Sequence, residues 1–267
     1  MARIYLNKAL NSLIPSIQET VSRAYEIEVP PCKEDWISLS PYNLLAQIFA
    51  RIATRVMVGP ELGAEGGRWL TLSREYITAV CKAPGIVRHK YNPWLRWVAK
   101  YREPEVKNVL RLGREGADIL KPVLDARRAE LLQGDKKKKA GEQHDQDAIQ
   151  WFLEEYNALG KELTPDTLAR GIYVIMTAAV DSTSSTALWM FFDLVEHPEA
   201  LAEIREEIEK VTDGQDVRTF NWTRQALGEL QVLDSFMRES FRVHSLTHSK
   251  LNIHLSLPLH KETEEVY

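Results

Sequence analysis

The stretch Thr164–Glu196, TPDTLARGIYVIMTAAVDSTSSTALWMFFDLVE, predicts one long α-helix that determines the fold of the chain. Thr164 can cap its N-terminus, and Pro165 suits the first helical position because its φ is already fixed. The helix should end before Pro198, which disfavours helical geometry in the preceding residue. At about 1.5 Å per residue the helix would be about 48 Å long. Apolar residues occur on every side of it, so we expect neighbouring helices to bury it.

The middle of this helix is unusual because it carries an acid and several hydroxyls, Asp181 and Ser182–Ser185. A buried carboxylate is costly unless it is paired, so Asp181 should have a structural partner, water or a ligand. The small Ala178 and Ala179 leave room for a flat ligand against the helix. An acid beside a hydroxyl can also deliver protons to a reacting centre. A hydroxyl-rich helix interface that satisfies its own hydrogen bonds is an equally good interpretation.

The rest of the chain also shows helical periodicity, and we find no strand pattern before residue 250. Gly59-Pro60 and Ala83-Pro84-Gly85 should each end a helix. The sequence therefore predicts a mainly all-α protein. Besides the central helix, the predicted helices span residues 3–26, 42–58, 67–82, 104–132, 148–156, 198–211 and 227–244.

Composition excludes several classes of protein. The 267 residues are 44% hydrophobic and carry a formal net charge of −4, so we expect no nucleic-acid partner. The only cysteines, Cys32 and Cys81, favour a reducing compartment. The N-terminus lacks the apolar run of a signal peptide, and Asp181 and its hydroxyl neighbours argue against a transmembrane central helix. We therefore expect a cytoplasmic location and no transmembrane anchor in this chain.

Two further segments allow alternative interpretations. Trp94, Leu95 and Trp97, in a basic segment, could contact a membrane surface or could pack beneath a helix. Residues 133–147, QGDKKKKAGEQHDQD, contain four consecutive lysines, which can indicate nuclear import or an anionic partner. Acids flank these lysines on both sides, and a mobile, solvated loop is the favoured prediction.

The predicted helix at 227–244 carries two candidate pairs. Glu239 and Arg242 are three residues apart, so they share a helix face and can form a bidentate ion pair. His244 and His248 are four residues apart, a spacing that suits two metal ligands on one face. A third ligand would have to come from His254 or His260. We favour no metal site here.

The central helix resembles the long helix over the haem in the cytochrome P-450 family, the haem-thiolate monooxygenases, in their fungal form. The family pattern is Ala/Gly, Gly, any residue, Asp/Glu, Thr, Thr/Ser. Ala178 matches its first position and Ala179 replaces the glycine. Asp181 matches the acid, Ser182 replaces the oxygen-activating threonine, and Thr183 matches the last position. By this resemblance Asp181, Ser182 and Thr183 deliver protons on the distal side, and the two alanines face the haem.

A second motif strengthens the resemblance. Glu239 and Arg242 match the family's Glu-x-x-Arg, which is a scaffold element of the haem-side core and not a catalyst. The resemblance covers residues 1–246 and implies the helical core of the P-450 fold. It also implies haem as cofactor, an NADPH-cytochrome reductase as electron donor and a small lipophilic substrate of secondary metabolism. Full-length relatives are on the endoplasmic reticulum membrane.

The chain departs from the family where the iron should be held. The family's loop, Phe-x-x-Gly-x-x-x-Cys-x-Gly, is missing, because Tyr25 stands seven residues before Cys32 and Arg74 seven before Cys81. Residues 247–267 form a divergent tail, and the family's membrane anchor has no counterpart at the start. We therefore expect a central fragment, truncated at both ends and inactive alone. The alternative is a non-catalytic helical protein that binds an apolar ligand or a protein partner.

Overall fold

Residues 2–31, 37–63, 67–132 and 147–244 are described by a computed structural model, and their regular elements are all helical. The all-α prediction is confirmed for these residues, which contain no strand. Cys32, the four lysines, His248 and the tail from residue 247 lie outside them. The elements are α1 (Ala2–Glu28), α2 (Pro41–Leu62), α3 (Arg68–Lys90), a 3-10 helix (Pro93–Val98), α4 (Ala99–Arg102), α5 (Pro104–Leu132), α6 (Ala148–Ala158), α7 (Pro165–Glu196), α8 (Pro198–Thr212), α9 (Arg224–Glu229) and α10 (Gln231–Val243).

The chain divides into two compact units. The first consists of residues 1–38 and 46–180, and the second of residues 39–45 and the chain from Asp181 onward. Both α2 and α7 contribute residues to each unit. None of the described helices is both long and apolar enough to cross a bilayer.

The core of the first unit is built around an aromatic stack. The ring of Tyr173 on α7 lies 5.3 Å from Trp69 and 4.0 Å from Tyr76, with nearly parallel planes. Burial raises the pKa of the Tyr173 phenol far above its ordinary value. Aliphatic side chains from α5, α6 and α7 complete this core: Leu120, Leu124, Ile149, Leu168, Ile172 and Met176.

Two glycines allow α7 to approach its neighbours closely. A Cβ on Gly116 of α5 would overlap the Tyr173 ring, and a Cβ on Gly171 of α7 would overlap Phe152 of α6. Both α5 and α6 pack closely against the N-terminal half of α7, so this half of the helix is held in place on two sides.

A buried ion pair marks the start of α6. Asp147 caps the helix by accepting from the Gln150 backbone N–H at 3.0 Å, and its two oxygens also accept from the Arg127 guanidinium. Gly59, at φ 75°, breaks α2 close to Asp147, where a Cβ would meet the carboxylate. Asp147, the last residue of the predicted loop 133–147, is therefore buried rather than solvated.

The predicted helix ends are wrong in two places. The helix expected to stop at Ala83 continues through Pro84 to Lys90, because Ala79 and Ala83 are buried while Pro84 and Gly85 face solvent. Tertiary packing thus outweighs the local helix breakers.

The predicted helix at 227–244 is two helices, separated at the buried Leu230. The carboxylate of Glu207 on α8 accepts from the backbone N–H groups of Val232 and Leu233 at 2.7 and 3.0 Å. It therefore caps a new helix start at α10.

The expected burial of α7 on every side is also wrong. Its N-terminal half contains fully buried residues, including Leu168 and Ile172, but Val174 is exposed there. In the C-terminal half Phe191 and Val195 keep 50% and 66% of their surface exposed. The hydrophobic pattern predicts that α7 has apolar neighbours on all sides. In the described residues, those neighbours pack mainly against the N-terminal half of α7.

We predict that Gly171→Ala lowers the free energy of unfolding by about 1–3 kcal/mol, because the new methyl overpacks the interface with Phe152. Gly85→Ala is the matched control, since its Cβ would meet nothing within 4 Å in an exposed helical turn. That change should be neutral or stabilise by up to about 1 kcal/mol. Urea unfolding measures both; equal effects at the two glycines would contradict the packing described.

Candidate functional site

The acid at the middle of α7 has a partner distant in sequence. Tyr42, in the first turn of α2, donates its phenolic O–H to Asp181 Oδ1 at 2.7 Å. Asp181 is exposed, so the expectation that it is buried is wrong. Because solvent and Tyr42 both reach this carboxylate, its charge needs no compensating cation.

The hydroxyls that follow differ in their surroundings. Ser182 is half-buried, Thr183 is exposed and Ser184 is fully buried. The hydroxyls of Thr177 and Thr186 donate to backbone carbonyls one turn earlier, those of Tyr173 and Ser182, at 2.7 and 2.9 Å. These bonds satisfy the side chains without interrupting α7, which runs unbroken from Pro165 to Glu196.

The small residues one turn earlier lie on an accessible part of α7. Ala178 is exposed and Ala179 is half-buried. Residues three apart in a helix share a side, so Ala178 and Asp181 present a methyl group and a carboxylate in the same direction. A flat apolar ligand could contact the methyl while a polar group on it met the acid.

Glu239 and Arg242 form the predicted bidentate pair on α10. Arg242 Nε and Nη2 donate to the two carboxylate oxygens at 2.8 and 2.5 Å. The hydrogen bonds from Arg242 lower the pKa of Glu239, and the same contact raises the pKa of Arg242. Both side chains are exposed, so the pair lies in water rather than in a core.

A third cluster, which no sequence pattern predicted, joins α7 to α10. Asp193 accepts from the Ser240 hydroxyl at 2.5 Å through Oδ2, and its Oδ1 lies 2.9 Å from His244 Nε2. The Trp189 indole stacks on the His244 ring at 4.4 Å. Burial raises the pKa of Asp193, but the hydrogen bonds from Ser240 and His244 outweigh burial, and the pKa is lowered overall.

The position of His244 in this cluster is relevant to the possible metal site at His244 and His248. The Nε2 of His244 lies against Asp193, while His248, His254 and His260 are outside the described residues. In the described part of the chain no three His, Cys, Asp or Glu side chains come together as a metal site.

The residues present fit only part of a haem site. Ala178 and Asp181 offer an accessible helix surface that could face a porphyrin, but a haem-thiolate centre would also require a cysteine to hold the iron. Neither Cys32 nor Cys81 belongs to the iron-binding motif, and Cys81 is an exposed residue of α3. We therefore assign no iron ligand in this chain and derive no step that passes through the iron.

We predict that Asp193→Asn lowers the free energy of unfolding at pH 7 by about 1–3 kcal/mol, because Ser240 and His244 lose a charged acceptor. The folded-state pKa of Asp193 is lowered, so its stabilisation is complete above the unfolded pKa of about 3.9. This stabilisation disappears as the pH falls through the folded-state pKa of Asp193. Wild type and variant should then have the same free energy of unfolding.

Urea unfolding between pH 7 and pH 2.5 measures this difference. Asp234→Asn is the control, because Asp234 forms an exposed ion pair with Arg238 on the same helix and should change stability little. If the difference in the free energy of unfolding between wild type and Asp193→Asn stayed constant down to the lowest pH, the carboxylate charge would not stabilise the fold.

Comparisons with known proteins identify the family of this chain. The family model described as Cytochrome P450 matches residues 3–255. Cytochrome P450 monooxygenase CYP2 of Pyricularia oryzae is 34% identical over 79% of this chain and 44% of its own length. Cytochrome P450 monooxygenase cheE of Chaetomium globosum is 34% identical over 91% of this chain and 45% of its own length. The chain thus spans just under half the length of these relatives.

A solved structure shows the same fold. The cytochrome P450DA heme domain superposes with a TM-score of 0.62, over 89% of this chain and 47% of that domain, at 13% sequence identity. The resemblance to a haem protein predicted from the sequence is confirmed by the family match. The chain belongs to the cytochrome P450 family.

Proposed function

We propose that this chain forms the distal, oxygen-facing part of a haem-thiolate monooxygenase that oxidises a small lipophilic substrate in secondary metabolism. The observation that carries the proposal is the accessible Ala178 and Asp181 surface of α7, followed along the chain by the bidentate Glu239–Arg242 pair. An NADPH-cytochrome reductase would supply the electrons. Residues 1–246 constitute the family-like region in this proposal, and 247–267 a divergent tail.

Each matched residue has a proposed role. Asp181 exchanges protons with solvent, and Ser182 and Thr183 offer hydroxyls beside it through which a proton can pass. Tyr42 holds the Asp181 carboxylate in one orientation through its 2.7 Å hydrogen bond. Ala178 and Ala179 keep the helix surface flat. The Glu239–Arg242 pair, exposed in this chain, would support the haem-side core only where the rest of that core is present. Haem, when bound by a complete ligand set, supplies oxygen activation.

The proposal includes catalytic incompleteness of the chain alone. A cysteine thiolate on the iron favours O–O cleavage in this family, and the 267 residues contain no loop of the required form. Without that ligand, haem could not supply the oxygen chemistry that the acid and hydroxyls of α7 are proposed to serve.

A second function is supported by the exposed apolar surface. Phe191 and Val195 on α7 remain exposed, as apolar residues at ligand or partner sites do. A non-catalytic helical protein that binds an apolar ligand or a protein partner would use this surface and would need no iron.

Haem titration of the purified chain tests the first proposal. We expect hemin to bind without giving a thiolate-type Soret band in the ferrous carbon monoxide complex. Ala178→Phe should weaken hemin binding at least about tenfold, which corresponds to about 1.4 kcal/mol, because the ring would occupy the surface facing the porphyrin. Ala202→Phe, at an exposed alanine of α8, is the matched control and should leave affinity unchanged.

The possible outcomes separate the two functions. A thiolate-type band would show that the chain does supply the axial ligand, contrary to the proposed incompleteness. Equal effects of the two alanine variants would contradict the assigned haem-facing surface. No hemin uptake together with saturable binding of an apolar ligand would favour the second function.

The aromatic segment around Trp94 and Trp97 provides evidence about contact of the chain with a membrane. Packing of Trp94 and Trp97 beneath a helix is wrong, since they are 87% and 64% exposed. Tyr101 lines an open cavity of about 560 Å³ with Lys100, Lys107 and other side chains of α4 and α5. Aromatic and cationic side chains together suit a membrane interface. We therefore propose a cytoplasmic chain that contacts anionic membrane surfaces through this segment.

We predict that the chain co-sediments with phosphatidylserine-containing vesicles and that the double variant Trp94→Ala, Trp97→Ala loses most of this binding. Leu159→Ala, which removes an exposed apolar side chain elsewhere, should bind as wild type does. Raising the salt concentration should weaken binding, because lysines contribute by charge. Unchanged binding by the double variant would assign membrane contact to another surface.

A further inference from the structure

The open cavity formed by α4 and α5, which we call the cationic cavity, carries an excess of positive charge. Its volume is about 560 Å³, a size typical of small-ligand sites. Four cationic and two anionic side chains line it, whereas the whole chain has a formal net charge of −4. Besides the two acids, the lining residues are Lys100, Tyr101, Lys107, Leu110, Arg111 and Arg114.

The α5 side of the cationic cavity is one continuous face of the helix. Lys107, Leu110, Arg111 and Arg114 occupy positions i, i+3, i+4 and i+7. Residues at this spacing lie above one another on one side of a helix. Three cationic groups are therefore held along about 10 Å of the helix axis.

Two of these cations are available to a ligand. Neither Lys107 nor Arg114 forms an ion pair or a hydrogen bond with any residue of the ranges that the structure describes. Arg111, by contrast, donates to Asn108 at 2.9 Å and to Glu115 at 3.1 Å. Lys107 and Arg114 therefore present charges that no described side chain compensates.

The two acids of the cationic cavity differ in how far their charge is already compensated. Glu115 accepts from Arg68 Nε at 2.7 Å as well as from Arg111, and the hydrogen bond from Arg68 is the main reason that the pKa of Glu115 is lowered. Asp118 is exposed and stands four residues after Arg114, on the same side of α5. Asp118 is thus the group that repels an incoming anion.

We propose that the cationic cavity binds the phosphate headgroup of an anionic phospholipid, with Lys107 and Arg114 contacting the phosphate. A phosphomonoester carries about −1.5 to −2 charges near neutral pH, which matches two unpaired cations. The arginine fork suits phosphate oxygens, and lysine contributes a point charge. Phosphatidic acid, whose headgroup is a phosphomonoester, is therefore the lipid that fits best.

Apolar surface beside the charges favours a lipid over free phosphate. Tyr101 and Leu110 are 61% and 46% exposed, and Lys100 Nζ lies 4.7 Å from the centre of the Tyr101 ring. Trp97, also exposed, stands three residues before Lys100. The choice of a lipid rests on the proposed membrane contact of this segment, and it adds a defined headgroup site to that contact.

Calorimetric titration of the full chain with dioctanoyl phosphatidic acid, kept below its micelle-forming concentration, tests the proposal. The double variant Lys107→Gln, Arg114→Gln should bind at least about tenfold more weakly. The matched control Arg102→Gln, Lys121→Gln removes the same charges from exposed positions outside the cavity and should bind as wild type does. Asp118→Asn should bind severalfold more tightly, a gain that loss of folding cannot produce.

Two further titrations separate the lipid headgroup from other ligands. Inorganic phosphate and dioctanoyl phosphatidylcholine should each bind at least about tenfold more weakly than dioctanoyl phosphatidic acid. Inorganic phosphate that bound equally well would overturn the assignment to a lipid. Equal losses in the two double variants, or no gain with Asp118→Asn, would overturn the assignment to this cavity.

The proposed membrane contact and the headgroup site can fail separately. The double variant Trp94→Ala, Trp97→Ala should bind the dispersed lipid as wild type does, because a lipid monomer requires no insertion of these rings. If vesicles bind but dispersed phosphatidic acid does not, the headgroup site is wrong and the membrane contact stands. If dispersed phosphatidic acid binds through Lys107 and Arg114 while vesicles do not bind, the membrane contact is wrong and the headgroup site stands.

Discussion

The burial of the N-terminal half of α7 is the constraint on which the rest of the structure depends. Tyr173 is held between the rings of Trp69 and Tyr76, and Gly171 and Gly116 bring α6 and α5 into contact with the same helix. These contacts fix α7 as far as Met176, and Ala178 and Ala179 follow directly on the same helix. The directions of Ala178 and Asp181 are then set by helical geometry.

The sequence predicted the features that depend on local periodicity. The extent of α7 and the bidentate contact between Glu239 and Arg242 follow from spacing along one helix, and both are observed. The end of α3 and the break at Leu230 could not be predicted, because they depend on what is buried at Ala83 and on the distant Glu207 carboxylate. Whether a helix continues past a local helix breaker depends on tertiary contacts that only the folded chain makes.

The same reasoning explains what was missed at the candidate site. A carboxylate within an apolar helix was expected to be buried, yet Asp181 is exposed and pairs with Tyr42, a residue 139 positions away. The cluster of Asp193, Ser240 and His244 likewise joins helices that are remote in sequence. A residue's own helix predicts its direction, whereas its partners come from helices whose placement a single sequence does not show.

The chain belongs to the cytochrome P450 family, and we propose that one surface of α7 faces the haem. The chain matches just under half the length of its relatives, and the residues it shares with the family pattern are those proposed to face the porphyrin. Asp181 and Thr183 are exposed on α7 and Ser182 is half-buried, while the cysteine motif that would supply an iron thiolate does not occur in the 267 residues. The central claim is therefore that the Ala178 and Asp181 surface of α7 contacts a porphyrin.

The most direct measurement of this claim is paramagnetic broadening of alanine methyl signals in the NMR spectrum when manganese protoporphyrin is added to the chain. The proposed arrangement predicts strong, saturable broadening of the Ala178 methyl, with weaker broadening of Ala179. The methyl of Ala202 on α8 should stay sharp. Broadening of Ala202 equal to that of Ala178, or none at Ala178 at saturating porphyrin, would contradict it.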